Sequence, residues 1–365
     1  MSSPAPAGDG VRAALDPQFW RDRSVLVTGH TGFKGSWLAL WLESLGARVY
    51  GVASRPVGDR SLYHDARVSE SLTDEAVADI RDFSAIGSAL ERFRPEMVIH
   101  MAAQPLVRRS FAEPRETFEV NVMGTVNVLD AVRARPDVRV VLVITSDKCY
   151  ENREWEWGYR ETEPMGGHDP YSSSKGAAEL VTAAFRRSFF AGQDQTRVAS
   201  ARAGNAIAGG DWGVDRLIPD IARAVLDGQA LHVRNPESVR PWQHVLNPLS
   251  GYLLLAQELW DRPDLAGGWN FGPAEADARS VGWIIEQVRQ RWHGQPEWTQ
   301  DPGPHEHEAR YLKLDSSRAR WHLGWRPLVA LDQALDSTVD WYRSFMSGAD
   351  MGDVTRSQIA QLVEP

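Results

Sequence analysis

Cysteine is almost missing from this chain of 365 residues, in which Cys149 stands alone. One thiol excludes an intrachain disulfide framework and a Cys-x-x-Cys metal site; Lys148 beside it hints at reactivity, but a buried, inert thiol is the plainer reading. Long apolar runs are missing too. None reaches the ~18 residues that a membrane-spanning helix needs, so no membrane partner is expected. Excess positive charge is lacking as well, and a formal charge of −9 argues against a nucleic-acid partner. Met1 to Gly10 is rich in Ser, Pro, Ala and Gly, without a basic start or an apolar stretch. No secretory leader is expected, and a cytoplasmic location is the default. No internal repeat is found. The one residue type in surplus is tryptophan, with fifteen copies, which read as packing.

What is present first is a strand, a glycine loop and a helix in direct succession. Ser24-Val25-Leu26-Val27-Thr28 runs into Gly29-His30-Thr31-Gly32-Phe33-Lys34-Gly35, followed by the apolar Ser36 to Leu42. Glycines at 29, 32 and 35 allow a tight turn and let the backbone approach a pyrophosphate, which then meets the N–H groups and positive dipole end of the helix. Trp37 and Trp41, one turn apart, read as core. Arg48 to Ala53 is a second strand. At its end an NAD-binding unit usually carries an acid for the ribose 2′-hydroxyl, but here Ser54-Arg55 stands instead. Arg55 can tolerate a 2′-phosphate or simply be solvated, so the sequence leans to NAD and leaves NADP open. A helix from Phe83 to Phe93, a strand over Glu96 to Ala103, a helix from Val120 through Val132 and a strand from Arg139 to Thr145 continue the alternation. Alternating strands and helices imply an α/β fold, a Rossmann-type doubly wound parallel sheet.

The chemistry concentrates after that last strand. Val140 to Thr145 is apolar on both faces, as a buried parallel strand should be, and Ser146-Asp147-Lys148 follow at its carboxyl end, where open α/β sheets place ligands. Downstream, Tyr171 and Lys175 are four apart at the start of a helical stretch, so their Cβ atoms lie roughly 5–6 Å apart on one face. An ammonium that close favours the phenolate, and the expectation is a tyrosine of depressed pKa that accepts or returns a hydroxyl proton. The long aromatic and acidic segment from Cys149 to Asp169 reads as a pocket-covering loop. After Arg197 to Ala201, a last clear strand, periodicity becomes irregular, as expected of a smaller mixed C-terminal domain. Arg216 and Arg240 there have the planar donor forks that suit phosphate, or are solvated surface residues. His305 and His307 stand without a carboxylate-His-Cys constellation nearby and read as solvated or hydrogen-bonded, so no metal is expected.

Taken together, Gly29-x-x-Gly32-x-x-Gly35, Asp79-Ile80-Arg81-Asp82, Asn121, Ser146, Tyr171 and Lys175 resemble the extended short-chain dehydrogenase/reductase superfamily of nucleotide-sugar enzymes, over about residues 19–345. Longer stretches are similar to the CDP-glucose 4,6-dehydratase family: Gly29 to Gly35, Thr145 to Tyr150, Asn152 to Trp155, Gly166 to Tyr171 and Arg240 to Val245. The resemblance implies conversion of CDP-D-glucose to CDP-4-dehydro-6-deoxy-D-glucose and water, on a route to deoxysugars of surface polysaccharide. It implies that Tyr171, assisted by Lys175 and Ser146, takes the 4-hydroxyl proton, with Asp147 as acid and Lys148 as base where dTDP-glucose relatives carry glutamate. At reference values of about 10.4 and about 3.9, a neutral lysine and a protonated aspartate are both minority forms. Burial favours them and mutual attraction opposes them, so the pair is a firmer assignment than either member.

The same resemblance implies a cofactor set of Gly29, Thr31, Gly32, Phe33, Lys34, Gly35, Arg55, Asp79, Ile80, Ala102, Ala103, Tyr171 and Lys175. It also implies a substrate set of Gln104, Asn205, Arg216, Leu217, Ile218, Arg240, His244 and Tyr311. Helices at 114–133 and 173–190 match those that relatives pair in a four-helix contact, so a homodimer or homotetramer is expected. The implied division is a flexible extension over 1–18, a dinucleotide-binding domain over 19–202 plus about 243–273, a substrate domain over about 203–242 plus 274–345, and a tail over 346–365. Two other readings stay open: another nucleotide-sugar 4,6-dehydratase or a 4-epimerase, which shares the Tyr171-Lys175 step but needs no acid at Asp147, and an NAD(P)-sensing regulator without catalysis.

Overall fold

The computed structural model describes residues 15–363, apart from 57, 59, 193–195, 302 and 304–310. Its centre is a seven-stranded parallel sheet. β1 (Ser24–Thr28) pairs with β2 (Arg48–Ala53) and with β4 (Met97–His100), β2 with β3 (Asp74–Val77), β4 with β5 (Val140–Ile144), β5 with β6 (Arg197–Arg202), and the strand Gly268–Asn270 with β6. Across the sheet the order is therefore 3-2-1-4-5-6 followed by Gly268–Asn270, the Rossmann order, which reverses between β1 and β4 and opens a crevice at their carboxyl ends.

Period-two alternation assigns the two faces. Val25 and Val27 of β1 join Val140, Leu142 and Ile144 of β5 in one apolar cluster with Trp37, Trp41 and the helix Leu246–Leu259. Leu26, Val141 and Val143 point the other way, against the helices Phe83–Phe93 and Gly124–Arg133. With both faces covered, the strands are apolar throughout, and the helix Leu246–Leu259, enclosed between sheet and C-terminal elements, is apolar nearly all round.

Two expectations need correction, and one strand goes unread. β3 is not read from the sequence because Asp74–Val77 is a half-exposed edge strand without apolar alternation. The C-terminus does not trail away: Met351–Val363 is a helix whose Met351, Thr355 and Ile359, four apart, form a buried stripe, with Thr355 accepting from Trp341 Nε1 at 2.9 Å and Gln358 donating to Ser337 O at 2.8 Å. At the other end, residues 1–14 lie outside the described residues, while 17 and 18 belong to the short helix Pro17–Trp20, capped by the Asp16 carboxylate and anchored by buried Trp20. Beyond β6 the chain forms two-residue and three-residue strand pairs, Ala206–Ile207 with Gln243–His244, Leu231–Val233 with Trp298–Gln300, and Val239–Pro241 with Ala278–Ser280. Strands this short carry no readable period.

Candidate active site

The glycine loop is shaped by backbone contact. Gly29 has φ +77°, and a Cβ there would fall 2.7 Å from Ala102 N, across the crevice between β1 and β4. A Cβ on Gly35 would fall 2.2 Å from Gly29 O. Gly32 caps the helix Phe33–Ser44 without a side-chain bond, so its first N–H groups remain available to an anion. Thr31 ties the loop to the end of β2 by donating to Ser54 O at 3.0 Å. His30 is buried beneath the loop, with Nε2 2.7 Å from Glu75 Oε2, whose other oxygen accepts from Tyr63 at 2.7 Å. Gly51 makes room for its ring, since a Cβ there would lie 2.6 Å from it. Burial pulls the His30 pKa down, against the opposing pull of Glu75. His30 is thus a strut from the loop to β3 and does not face the crevice.

Across the crevice, Thr28 Oγ1 accepts from Met101 N and Ala102 N and lies 2.7 Å from His100 Nδ1. Burial drives the His100 pKa to about 3, which keeps it neutral. Ala102 and Ala103 follow, half-buried, as the small residues this approach requires.

Ser146 lies just past the end of β5 and caps a single helical turn, Asp147–Cys149. Its hydroxyl donates to Asp147 Oδ1 at 2.9 Å and also bonds the Tyr171 phenol. Asp147 is buried, and burial raises its pKa against the pull of Lys148, Ser146 and Lys34. Tyr171 and Lys175 sit in the first turns of the helix Pro170–Phe189, whose N-cap Asp169 accepts from Ser172 N at 2.9 Å. The expected depression of the tyrosine does not appear. Burial pushes Tyr171 up to about 12, with Ser146 opposing, while the Lys175 ammonium turns to Ile144 O at 3.4 Å. Burial, then the nearby Lys34, lowers Lys175 to about 8.

Asn121 stands in a π-helical turn, Glu119–Met123, and bridges two segments: it accepts from Gln104 N at 2.8 Å and donates to Ser174 Oγ at 2.9 Å. One turn beyond Lys175, buried Glu179 accepts from Thr145 Oγ1 (2.5 Å), Ser200 Oγ (2.6 Å) and Arg202 Nη2 (2.7 Å). Burial alone would raise this carboxyl, but Arg202 and the two hydroxyls outweigh it and hold the pKa below the usual range.

Of these groups, Ser146, Asp147 and Tyr171 open onto one cleft of about 330 Å³, which Lys175, Asn121 and Glu179 do not line. Phe33, Lys34, Ser146, Asp147, Lys148 and Tyr171 line one side; Asn205, Arg216, Leu217, Ile218 and Arg240 line the other. Arg216 pairs with Asp211 at 3.1 Å, and Arg240 Nη1 donates to Val239 O at 3.0 Å. Lys34, expected among the cofactor contacts, stands in the field of Arg216, Asp147 and Asp211, and burial foremost lowers it to about 8. It therefore addresses the interior of the cleft.

Other expected contacts fall elsewhere. Gln104 is buried, its amide donating to Leu106 O and Thr117 Oγ1 and its oxygen accepting from Leu106 N, so it shapes the loop after β4. His244 is fully buried beside Trp37, with Nδ1 accepting from Leu246 N at 3.2 Å and the pKa driven by burial to about 3. Tyr311 is half-buried outside the cleft, its carbonyl held by Asn152 Nδ2 at 3.0 Å and its ring beneath Lys313. Arg55 is exposed past the end of β2. Asp79 is clamped by Arg81 at 2.6 Å, while Ile80 packs where a Cβ on Gly124 would strike it at 2.4 Å. The aromatic segment does not cover the cleft; Tyr150, Trp155 and Tyr159 stack on one another and against Leu312 and Leu314. Cys149 is fully buried, and burial pushes its thiol well up, away from reactivity. His305 and His307 lie outside the described residues, and among the described residues no cluster of three metal-ligating side chains occurs.

A glycine loop and a Ser-Tyr-Lys set at the carboxyl end of a Rossmann sheet define an extended short-chain dehydrogenase/reductase. Residues 26–338 match the family described as GDP-mannose 4,6 dehydratase, and the chain belongs to that family of nucleotide-sugar dehydratases. It is 50% identical over 351 residues to a CDP-glucose 4,6-dehydratase of Salmonella typhimurium, covering 95% of this chain and 98% of that protein. It is 28% identical over 335 residues to a dTDP-glucose 4,6-dehydratase of Xanthomonas campestris pv. campestris, covering 87% and 92%. Among solved structures, the Thermus thermophilus UDP-glucose 4-epimerase in complex with NAD superimposes with a TM-score of 0.75 at 25% identity, covering 87% of this chain and 98% of that one.

Proposed function

We propose that the cleft converts CDP-D-glucose to CDP-4-dehydro-6-deoxy-D-glucose and water. The observation that carries this reading is the convergence of Tyr171, Ser146, Asp147 and Lys148 on one cleft beside the glycine loop. NAD fits that loop, because the space a Cβ would fill at Gly29 and Gly35 and the uncapped helix start at Gly32 suit a pyrophosphate. When bound, it supplies a hydride acceptor that takes hydrogen from C4 and returns it to C6. The chain's own residues manage the protons. Tyr171, hydrogen-bonded through Ser146, takes the 4-hydroxyl proton, and Lys175 places a positive charge behind it. The resulting ketone acidifies C5; Lys148 removes that proton, and Asp147, whose pKa burial raises, serves as the acid that donates to the departing 6-hydroxyl. Asn205, Arg216, Arg240, Leu217 and Ile218 take the nucleotide diphosphate.

Segments 203–242 and 274–345 serve as the substrate-side unit and 19–202 with 243–273 as the cofactor-side unit. Phe118, Met123 and Leu180, apolar and exposed, lie on the helical segments over 114–133 and 170–189 through which two copies would pair as a homodimer or homotetramer. No helix among the described residues is long and apolar enough to cross a membrane, and the enzyme works in the cytoplasm on a small nucleotide sugar.

The test is incubation of the purified protein with CDP-, dTDP-, GDP- and UDP-glucose, with NAD and NADP separately, and detection of the 4-keto sugar. CDP-glucose with NAD is expected to be turned over fastest; preference for another nucleotide overturns the substrate assignment. Lys148→Ala is expected to retain C4 oxidation and lose dehydration, and full-rate dehydration by this variant would remove Lys148 as the base.

A further inference from the structure

A second cavity, of about 340 Å³, adjoins the catalytic wall and is lined by Glu161, Glu179, Arg186, Arg202 and Arg318, among others. It shares that wall with the cleft: Thr145 faces the cleft and donates its hydroxyl to Glu179, which faces the cavity.

The cavity is short of acceptors. Arg202 is committed to Glu179 and to Tyr150, whose hydroxyl accepts from Nη1 at 2.6 Å, and its Nε is buried without a partner. Arg318 gives one N–H to Gly268 O at 2.9 Å and lies over the Trp269 ring at 4.2 Å, leaving most of its donors unused. Glu161 accepts from Asn270 N at 3.0 Å, and burial raises its pKa. Arg186 is half-buried, and among the described residues it makes no hydrogen bond or ion pair. Burial, then Arg187, with Arg318 and Arg202 adding to them, lowers its pKa against the pull of Glu179. A guanidinium does not lose its proton in a protein, so a cation in this position is relieved by an anion.

We propose that this cavity is an oxyanion site that takes a phosphate group, free or as an ester, between the guanidinium forks of Arg186 and Arg318. Paired planar donors match the oxygens of a phosphate, and Ala183, on the same helix as Arg186, leaves the space that it occupies. The site is distinct from the nucleotide diphosphate contacts at Arg216 and Arg240 and stands independently of the reaction proposed above.

The experiment is thermal unfolding of the full chain against inorganic phosphate at constant ionic strength, in wild type, R186Q, A183L and R216Q. A saturable rise in Tm is expected in wild type and in R216Q. In R186Q the midpoint should move to roughly tenfold higher phosphate, and A183L, which fills the cavity without touching a charge, should lose the response. Glucose 1-phosphate acting below the phosphate midpoint supports an ester as the occupant; phosphate acting first supports the free ion. The proposal is overturned if wild type shows no saturable response, if R216Q loses the response while R186Q and A183L keep it, or if sedimentation shows that Arg186 instead holds a second copy of the chain, with R186Q dissociating and phosphate without effect.

Discussion

The two sides of the cleft are made from different material. On the cofactor side the surface is backbone: Gly29 against Ala102 N, Gly35 against Gly29 O, and an uncapped helix start, all fixed by strands paired in register. On the substrate side it is side chain: Arg216 braced by Asp211 and Arg240 on a three-residue strand, carried by segments with little regular structure. A backbone surface has one shape and tolerates almost no added atoms, whereas a side-chain surface can be retuned one residue at a time. The first suits a ligand that stays the same, the second a ligand that differs between relatives.

Substitutions can break this comparison. The largest effect is expected at the backbone surface: Gly35→Ala puts a methyl into Gly29 O, and measurable NAD binding, followed by protein fluorescence, should disappear. Retained binding would mean that the loop yields and the contrast is false. Tyr171→Phe removes the proposed proton acceptor and should lower kcat roughly 10²–10⁴-fold with little change in NAD affinity. Arg216→Gln should raise KM roughly tenfold with a smaller change in kcat, since the proposed phosphate contact on the substrate side would serve mainly uniform binding; an equal fall in kcat would bring Arg216 into the chemistry.

A further effect is on stability. Lys175 titrates at about 8 in the folded chain against an ordinary 10.5, because burial disfavours its charge. The unfolded chain therefore holds the proton more tightly, and the buried ammonium destabilises the fold fully below pH 8, less as pH rises, and not at all above 10.5. Lys175→Met should be inactive yet more stable at pH 7, on the order of 3 kcal/mol, with the gain shrinking toward pH 10.5 in denaturant titrations.

Legibility in the sequence follows the same division. β1, the glycine loop, β2 and the helix Phe83–Phe93 are readable because buried parallel strands and amphipathic helices each impose a period, and glycine marks the turns. β3 and the helix Met351–Val363 are not, since an edge strand and a helix whose buried positions include Gly352, Thr355 and Gln358 leave few apolar marks. Among site residues, the cluster around Ser146 and Tyr171 is visible as polar groups at a strand end. The enclosure of His244 and the internal bonding of Gln104 are not, because residue type does not tell which way a polar side chain points. The rise in the Tyr171 pKa has the same origin: the neighbouring lysine is written in the sequence, but the burial that overrides it is a property of the packed fold. The place of Lys34 in the cleft has one sequence signal, a long cation beside Phe33 in a glycine loop.

The π-helical turn at Glu119–Met123 carries one residue more than a regular helical ladder can hold. Deleting Val122 would let the backbone close into an unbroken helix and swing the preceding segment by roughly 100° about its axis. The carboxamide that now clasps both Gln104 and Ser174 would be carried away from them, and the bracing between the loop after β4 and the tyrosine's helix would go with it. A smoother helix here would mean a slacker enzyme, to be seen as faster amide exchange at Gln104 in the shortened chain.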